Sequence, residues 1–205
     1  MASTCVFGGT FDPPHIGHLK MAQLALKRVG LDRLLFSPLN SPWHKKGPKT
    51  SFADRKNMTQ LLIGKEKAMS VTDIDYRLGG TTYTYKTLFA LAKDECKDDE
   101  LYFLMGADSM EYFHKWAKWE KILQMARPIV VARPGHHLVA PGLSEEQLHR
   151  FIILKGFRSN CSSTKIRRQL EEQGYSRGLT KEVSQYIRDR GLYKVNEKRG
   201  TFCGS

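Results

Sequence analysis

The chain has 205 residues, of which 40% are hydrophobic and 26% are charged, a composition ordinary for a globular domain with a sizeable core. Lysine and arginine number 33 against 21 aspartates and glutamates, so the formal net charge is +12. Such a charge favours anionic partners, which include nucleic acids, acidic membranes and small polyphosphates. Charge alone does not choose among these three classes.

Membrane and disulfide-stabilised classes are disfavoured. The sequence offers no apolar run long enough to span a bilayer, and its first residues lack the pattern of a secretory leader. The four cysteines are scattered and form no C-x-x-C pair, which is typical of reduced thiols rather than of a disulfide framework or a zinc site. We therefore expect a cytoplasmic protein with no membrane partner.

Apolar segments and amphipathic stretches alternate along the chain. Short apolar segments predict six strands, at residues 4–7, 33–37, 69–74, 101–105, 128–132 and 151–154. Amphipathic stretches predict helices, at residues 17–29, 51–65, 84–96, 163–173 and 181–190, with shorter helical pieces up to residue 125. Prolines and glycines indicate a loop at residues 38–50, and residues 136–143 have an irregular pattern.

Strands separated by helices predict an α/β fold with a Rossmann-like, doubly wound parallel sheet and a small helical part at the C-terminal end. No repeat or linker divides the chain, so we expect a single domain over residues 1–195 and a disordered tail at residues 196–205. Ligands of such sheets lie beyond the carboxyl ends of the strands. Gly8, Gly9, Asp108 and Arg133 all follow predicted strands, so we expect one cleft to collect them.

The segment G-G-T-F-D-P-P-H-I-G-H, at residues 8–18, leads from the first strand into the first helix. Glycines let the backbone approach an anion, and a helix N-terminus presents unpaired N–H groups to it. His15 and His18 are three residues apart, so both can reach one phosphate from one helix face. A zinc site would need a third ligand, which is absent at motif spacing. Local capping or packing of the two histidines is the other alternative.

A second cluster, S-S-T-K-I-R-R at residues 162–168, lies where a late helix is predicted to start. We expect Ser163 or Thr164 to cap that helix, so that hydroxyls and free N–H groups face an anion. Arg167 follows one turn later and can clamp a phosphate with two hydrogen bonds. The alternative is an ordinary helix cap followed by a basic exposed face.

Together, residues 8–18 and 162–167 resemble the nucleotidyltransferase superfamily with its H-x-G-H motif, and more narrowly the bacterial nicotinate-nucleotide adenylyltransferases. The resemblance covers residues 4–194, because further motifs occur in the family's order: P-W-H-K at 42–45, D-R at 54–55, T-Y-T at 82–84, G-A-D at 106–108, E-Y at 111–112, K-W at 115–116 and R-P-G at 133–135. It implies a nucleotidyltransferase-type fold and ATP-dependent adenylyl transfer to nicotinate mononucleotide, with release of pyrophosphate, in NAD biosynthesis.

Matched motif by motif, the resemblance also implies which residues act. The implied catalytic residues are His15 and His18 at the α-phosphate, with Lys45 and Arg167 at the β- and γ-phosphates. Further implied ATP-binding residues are Gly8, Gly9, Thr10, Gly106, Asp108, Arg133, Ser163 and Thr164. The nicotinate ring would stack on Trp116, with its carboxylate near Thr84 and the backbone N–H of Tyr112. Mg²⁺ would bind with ATP through substrate and water, with no metal site made by the protein.

Other functions and roles stay open at this point. The acceptor could be nicotinamide mononucleotide or another phosphate such as phosphopantetheine, although donors aimed at the ring substituent favour the acid. The basic charge also suggests a nucleic-acid-binding module, but basic and aromatic residues are not grouped on one element, so we expect no nucleic-acid partner. Asp108 could instead cap a helix, and Trp116 could belong to the core. The sequence leaves a homo-oligomer open.

Overall fold

Six parallel strands form one sheet in the order β3-β2-β1-β4-β5-β6. The computed structural model describes residues 1–41, 47–132 and 140–194, so the predicted tail at residues 196–205 lies outside the described part. The strands are β1 Ser3–Gly9, β2 Arg33–Pro38, β3 Met69–Val71, β4 Glu100–Gly106, β5 Arg127–Val131 and β6 Ile152–Leu154. The predicted Rossmann-like parallel sheet is therefore confirmed.

Helices connect the strands. They are α1 Ile16–Val29, α2 Phe52–Ile63, α3 Ile74–Leu78, α4 Thr84–Lys93, α5 Ala107–Glu111, α6 Trp119–Met125, α7 Glu145–His149, α8 Ser163–Gln173 and α9 Lys181–Asp189, with a 3₁₀ turn at Phe113–Lys115. The helices that the sequence predicts with stated bounds begin and end within two or three residues of those bounds. The helix predicted to run to residue 96 ends at Lys93, and the one predicted to run to residue 65 ends at Ile63, followed by Gly64.

The structure corrects three local predictions. The third strand ends at Val71 rather than at residue 74, because the Thr72 hydroxyl accepts the backbone N–H of Ile74 and starts α3 there. Helix α7 was missed, although Ser144 and Gln147 form a capping box that the sequence could have shown. Helix α8 is capped by Ser162, not by Ser163 or Thr164, since the Ser162 hydroxyl accepts the Lys165 N–H at 3.2 Å.

Apolar side chains on the two faces of the sheet pack into separate layers. Val6 and Phe103 point into the layer that α4 and α6 cover, whereas Phe7 and Leu104 point into the layer that α1 covers. Neighbouring residues of a strand face opposite sides, so a sheet covered on both faces is apolar at nearly every position. This explains why the strands read as unbroken apolar segments in the sequence.

A third apolar cluster forms the small C-terminal helical part that the sequence predicts. It joins α2 to α8 and α9 through Met58, Leu62, Ile166, Leu170, Leu179, Val183 and Ile187. Each fully buried aliphatic side chain contributes roughly 1.5–3 kcal/mol relative to exposure. The cluster therefore packs α8 and α9 against α2.

The sheet changes winding direction between β1 and β4, which are neighbours although β2 and β3 lie between them in sequence. Both strands end at a glycine, Gly9 and Gly106, on the same edge of the sheet. Such a switch point opens a crevice at the carboxyl edge, where ligands of this fold class bind. Within the described residues, none of the helices has the length and apolar character needed to cross a bilayer.

Candidate active site

A cavity of about 580 Å³ lies at this carboxyl edge. The predicted site residues that line it are Gly8, Gly9, Thr10, His18, Gly106, Trp116, Ser163, Thr164 and Arg167. Side chains to which the sequence analysis gave no role complete the walls, among them Phe7, Met21, Lys49, Phe103, Met105 and Ser109. The cavity thus joins the first motif of the chain to the second.

Gly9 is required where β1 ends, because a Cβ atom there would lie 2.7 Å from the Phe11 ring. That ring is 2% exposed and packs edge-on against Phe7, with 5.5 Å between ring centroids. Phe11 itself adopts a left-handed backbone, with φ of 49°, which is unfavourable for a bulky side chain. The turn is therefore held in one shape by packing, and its backbone borders the cavity.

His15 and His18 form reciprocal hydrogen bonds with each other at the start of α1. The His15 Nδ1 atom accepts the His18 N–H at 3.3 Å, and the His18 Nδ1 atom accepts the His15 N–H at 3.2 Å. Their rings stack with 3.6 Å between centroids. His15 is the N-cap residue, in an extended conformation, so the prediction that both lie on a helix face is wrong for His15. His18 lines the cavity, whereas His15 is 5% exposed and does not line it.

The first turn of α8 is fastened to the turn after β1. Ser163 donates its hydroxyl to the Pro13 carbonyl at 2.8 Å, and Arg167 donates an Nη atom to the Asp12 carbonyl at 2.6 Å. Arg167 also donates to the Thr164 hydroxyl at 3.3 Å. These contacts bring a helix N-terminus, two hydroxyls and a guanidinium to one wall of the cavity, a set suited to an anion.

Two buried polar side chains, those of Asp12 and Arg55, hold the turn after β1 by hydrogen bonds. Asp12, 4% exposed, accepts the Lys49 backbone N–H and the Thr50 hydroxyl, each at 2.7 Å. Arg55, 1% exposed, donates to the carbonyls of Thr10 at 2.9 Å and Leu39 at 2.7 Å. Burial lowers the pKa of Arg55, and the negative charge of Asp12 opposes that shift. The sequence motif D-R marked Arg55 but gave no sign that it is buried.

Lys49 adds a positive charge to the cavity that the sequence analysis did not single out. It lines the wall, and its Nζ atom donates to Glu171 of α8 at 2.7 Å. The predicted cations Lys45 and Arg133 lie outside the described residues. Lys49 was missed because it sits in an irregular segment, where no periodicity indicates which way a side chain faces.

Trp116 follows β4 and the 3₁₀ turn in the chain, and it lines the same cavity as the start of α8. It packs edge-on against Phe103, at 5.6 Å between ring centroids, and is tilted against Phe113 at 5.5 Å. Trp116 therefore belongs both to the core and to the cavity lining. The alternative that Trp116 belongs to the core is confirmed in part, and its stacking on the nicotinate ring stays a prediction.

Besides His15, three predicted residues in the described part of the chain do not line the cavity. Thr84 is the first residue of α4, and Tyr112 is 52% exposed with its backbone N–H donated to Met110. Asp108 lies in the first turn of α5, whose N-cap residue is Gly106, so the alternative that Asp108 caps a helix is wrong. Ser109, the next residue, faces the cavity instead.

The described part of the chain contains no group of three or more histidine, cysteine or acidic residues able to hold a metal ion. Among the residues that line the cavity, His18, Lys49 and Arg167 offer donors, whereas the Asp12 carboxylate already accepts hydrogen bonds from Lys49, Thr50 and Tyr193. Donors of this kind bind phosphate oxygens rather than a bare cation. The arrangement can therefore orient a polyphosphate and stabilise negative charge that develops on it.

Comparisons with known proteins agree with this chemistry. A family model described as cytidylyltransferase-like matches residues 6–169. A Neisseria meningitidis protein named "Probable nicotinate-nucleotide adenylyltransferase" is 35% identical over 199 residues, which cover 92% of this chain and 97% of the relative. A Dehalococcoides mccartyi protein of the same name is 35% identical over 200 residues, which cover 93% of this chain and 96% of the relative.

Solved structures show the same fold. The nicotinic acid mononucleotide adenylyltransferase of Plasmodium falciparum, complexed with NaAD, superposes with a TM-score of 0.75 at 19% identity, and the match covers 96% of this chain and 99% of that chain. The same Plasmodium enzyme complexed with APC gives a TM-score of 0.74 over the same coverage. At this identity the likeness concerns the arrangement of strands and helices.

Proposed function

Because the chain belongs to the nicotinate-nucleotide adenylyltransferases of the cytidylyltransferase-like family, we propose that it transfers the adenylyl group of ATP to nicotinate mononucleotide. An oxygen of the mononucleotide's 5′-phosphate forms a bond to the α-phosphorus of ATP. The bond from that phosphorus to the bridging oxygen breaks, and pyrophosphate leaves with the electron pair. The product is nicotinic acid adenine dinucleotide. One observation carries the proposal: a single cavity joins His18, the start of α8 and Trp116.

This reaction needs position and charge neutralisation more than a nucleophilic side chain. In the proposal, Gly8, Gly9 and Thr10 offer backbone and hydroxyl contacts to the phosphates. His18 donates to the α-phosphate as negative charge develops there. His15 acts through His18, whose ring it orients by the reciprocal N-cap bonds.

The β- and γ-phosphates are assigned to the α8 side of the cavity. Ser163, Thr164 and Arg167 supply two hydroxyls, a helix N-terminus and a guanidinium there. Lys45 is proposed for the same phosphates from its motif alone. Arg133 is likewise proposed for ATP by its motif, together with Gly106, which borders the cavity where β4 ends.

The nicotinate mononucleotide site is assigned to the side of the cavity after β4. Trp116 presents its ring for stacking on the pyridine, as an aromatic side chain at a cavity wall can do. Thr84 and the backbone N–H of Tyr112 are proposed to bind the nicotinate carboxylate. That N–H would give up its hydrogen bond to the Met110 carbonyl and donate to the substrate instead. Asp108 is proposed for a ribose hydroxyl of ATP. Donors directed at the ring substituent favour the anionic acid over the neutral amide.

Mg²⁺ fits the proposal as an ion bound by ATP oxygens and water, because His18, Lys49 and Arg167 in the cavity wall suit phosphate oxygens and the described residues hold no group of three or more metal ligands. Bound in this way, Mg²⁺ would neutralise charge on the triphosphate. We place the reaction in the cytoplasm, since Cys5 and Cys96 are free and buried, as suits a reducing compartment.

Pyrophosphate release tests the proposal. The protein is incubated with ATP and Mg²⁺ and with one of three acceptors: nicotinate mononucleotide, nicotinamide mononucleotide or phosphopantetheine. We expect release with the acid, much weaker release with the amide and none with phosphopantetheine. Release only with phosphopantetheine, or no release together with tight, steeply salt-dependent nucleic-acid binding, would refute the assignment.

A further inference from the structure

The Asp12 carboxylate joins segments that are far apart in the sequence. Besides the Lys49 N–H and the Thr50 hydroxyl, it accepts the hydroxyl of Tyr193, a residue that follows α9 and lies 181 positions after Asp12. Tyr193 packs against the cluster of α2, α8 and α9 and does not line the cavity. The end of the described chain is thus bonded to the turn that follows the first strand.

The same turn carries the ATP side of the cavity. The Asp12 carbonyl accepts Arg167 at 2.6 Å, and the neighbouring Pro13 carbonyl accepts Ser163 at 2.8 Å. A rotation of the Asp12 backbone would therefore move the carbonyls that hold these two side chains, and the bonds to the Asp12 carboxylate restrain that backbone. The Tyr193 hydroxyl is one hydrogen bond away from groups that face the cavity, although the tyrosine does not reach it.

The backbone on both sides of the Tyr193–Asp12 bond is left-handed. Phe11 has φ of 49° and Tyr193 has φ of 54°, and bulky side chains rarely adopt such values. Conformations of this kind persist only where surrounding contacts hold them, and they occur often at functional sites. Burial, and next the bond to Asp12, raises the pKa of Tyr193, so its hydroxyl stays protonated and donates at neutral pH.

We propose that Tyr193 is a positioning residue for ATP: its hydroxyl fixes the Asp12 carboxylate and, through the Asp12 and Pro13 carbonyls, the places of Arg167 and Ser163. The inference rests on the proposed function for the identity of the ligand. Tyr193 does not touch the nucleotide. Its removal therefore weakens ATP binding without removing any group from the cavity.

Tyr193→Phe removes only the hydroxyl and leaves the ring in the helical cluster. We expect the KM for ATP to rise about tenfold, as for a lost charge-assisted hydrogen bond, with kcat and the KM for nicotinate mononucleotide within about twofold of wild type. Tyr186→Phe is the matched control. The Tyr186 hydroxyl also donates to a carboxylate, that of Asp54 at 2.9 Å, but neither residue lines the cavity.

The Tyr186→Phe control distinguishes a positioning role of Tyr193 from a general effect on the stability of the fold. Both phenylalanine variants lose one tyrosine–aspartate bond, so we expect similar falls in melting temperature but a higher KM for ATP in Tyr193→Phe alone. Thr50→Val removes another hydroxyl that donates to the same Asp12 oxygen, so it should also raise the KM for ATP. This variant replaces Tyr193→Phe in the test if Tyr193→Phe does not fold. Equal rises in the KM for ATP in Tyr186→Phe and Tyr193→Phe would overturn the inference.

A double variant in an Asp12→Asn background tests whether Tyr193 acts through the Asp12 carboxylate. If Tyr193 acts through Asp12, adding Tyr193→Phe to Asp12→Asn raises the KM for ATP by less than twofold; a full tenfold rise would overturn the inference. Calorimetric titration with a non-hydrolysable ATP analogue and Mg²⁺ tests the proposed adenylyltransferase function separately from the positioning role of Tyr193. No binding to the wild-type protein counts against the proposed function. Tight binding to wild type and equally tight binding to Tyr193→Phe counts against the role of Tyr193 alone.

Discussion

Asp75 is a buried carboxyl group that makes the stability of the fold depend on pH. It lies in α3, is 3% exposed, and accepts the hydroxyls of Ser37 at 3.2 Å and Thr87 at 2.5 Å. Burial raises the pKa of Asp75 from 3.8 to about 6, although the Thr87 and Ser37 hydrogen bonds oppose the shift. The folded protein therefore prefers Asp75 protonated more strongly than the unfolded chain does.

The magnitude follows from that shift. A pKa raised from 3.8 to about 6 gives stability that is fully present below pH 3.8 and is lost as pH rises through about 6. The full loss is about 3 kcal/mol, of which about 1.4 kcal/mol develops between pH 5 and pH 8. For a chain of this length, 1.4 kcal/mol corresponds to about 3–6 °C in melting temperature.

Asp75→Asn keeps the shape of the side chain and removes its ionisation. We expect the variant to gain about 1.4 kcal/mol of unfolding free energy relative to wild type between pH 5 and pH 8, as measured by urea denaturation at each pH. Comparing the two proteins cancels the titration of every other group that they share. A free-energy difference that stays constant across this range would refute the burial of a titrating Asp75.

Three further substitutions test the site. His18→Ala should keep the circular dichroism spectrum and lower kcat at least about 100-fold, as expected for one lost donor to developing charge; near-normal turnover would remove His18 from the mechanism. Lys45→Ala should lower kcat/KM for ATP about tenfold with an unchanged melting temperature, and an unchanged kcat/KM would argue against its phosphate role. Arg55→Met leaves the part-buried Thr10 and Leu39 carbonyls without this donor, so we expect a loss of about 3 kcal/mol, or about 6–12 °C by calorimetry. A fall of less than 2 °C would contradict that estimate.

Features with local signals were predictable from the sequence. The strands are apolar because the sheet is covered on both faces, and the two phosphate motifs are marked by glycines, hydroxyls and a basic residue at helix starts. The N-cap position of His15 was missed because histidine is not among the usual capping residues. The roles of Asp12, Arg55 and Tyr193 depend on partners far away in sequence, for which no local pattern exists.

The bonds from Asp12 to Arg167 and Tyr193 span 155 and 181 positions. A ribosome makes the turn after β1 and all six strands before it makes Arg167 and Tyr193, so the nascent chain can pair its strands before the nucleotide pocket is closed. Contacts of such long sequence separation form late, because loop-closure entropy opposes them. Nucleotide binding would then require that the residues as far as Tyr193 are made and folded, so ATP affinity would report that these long-range contacts have formed.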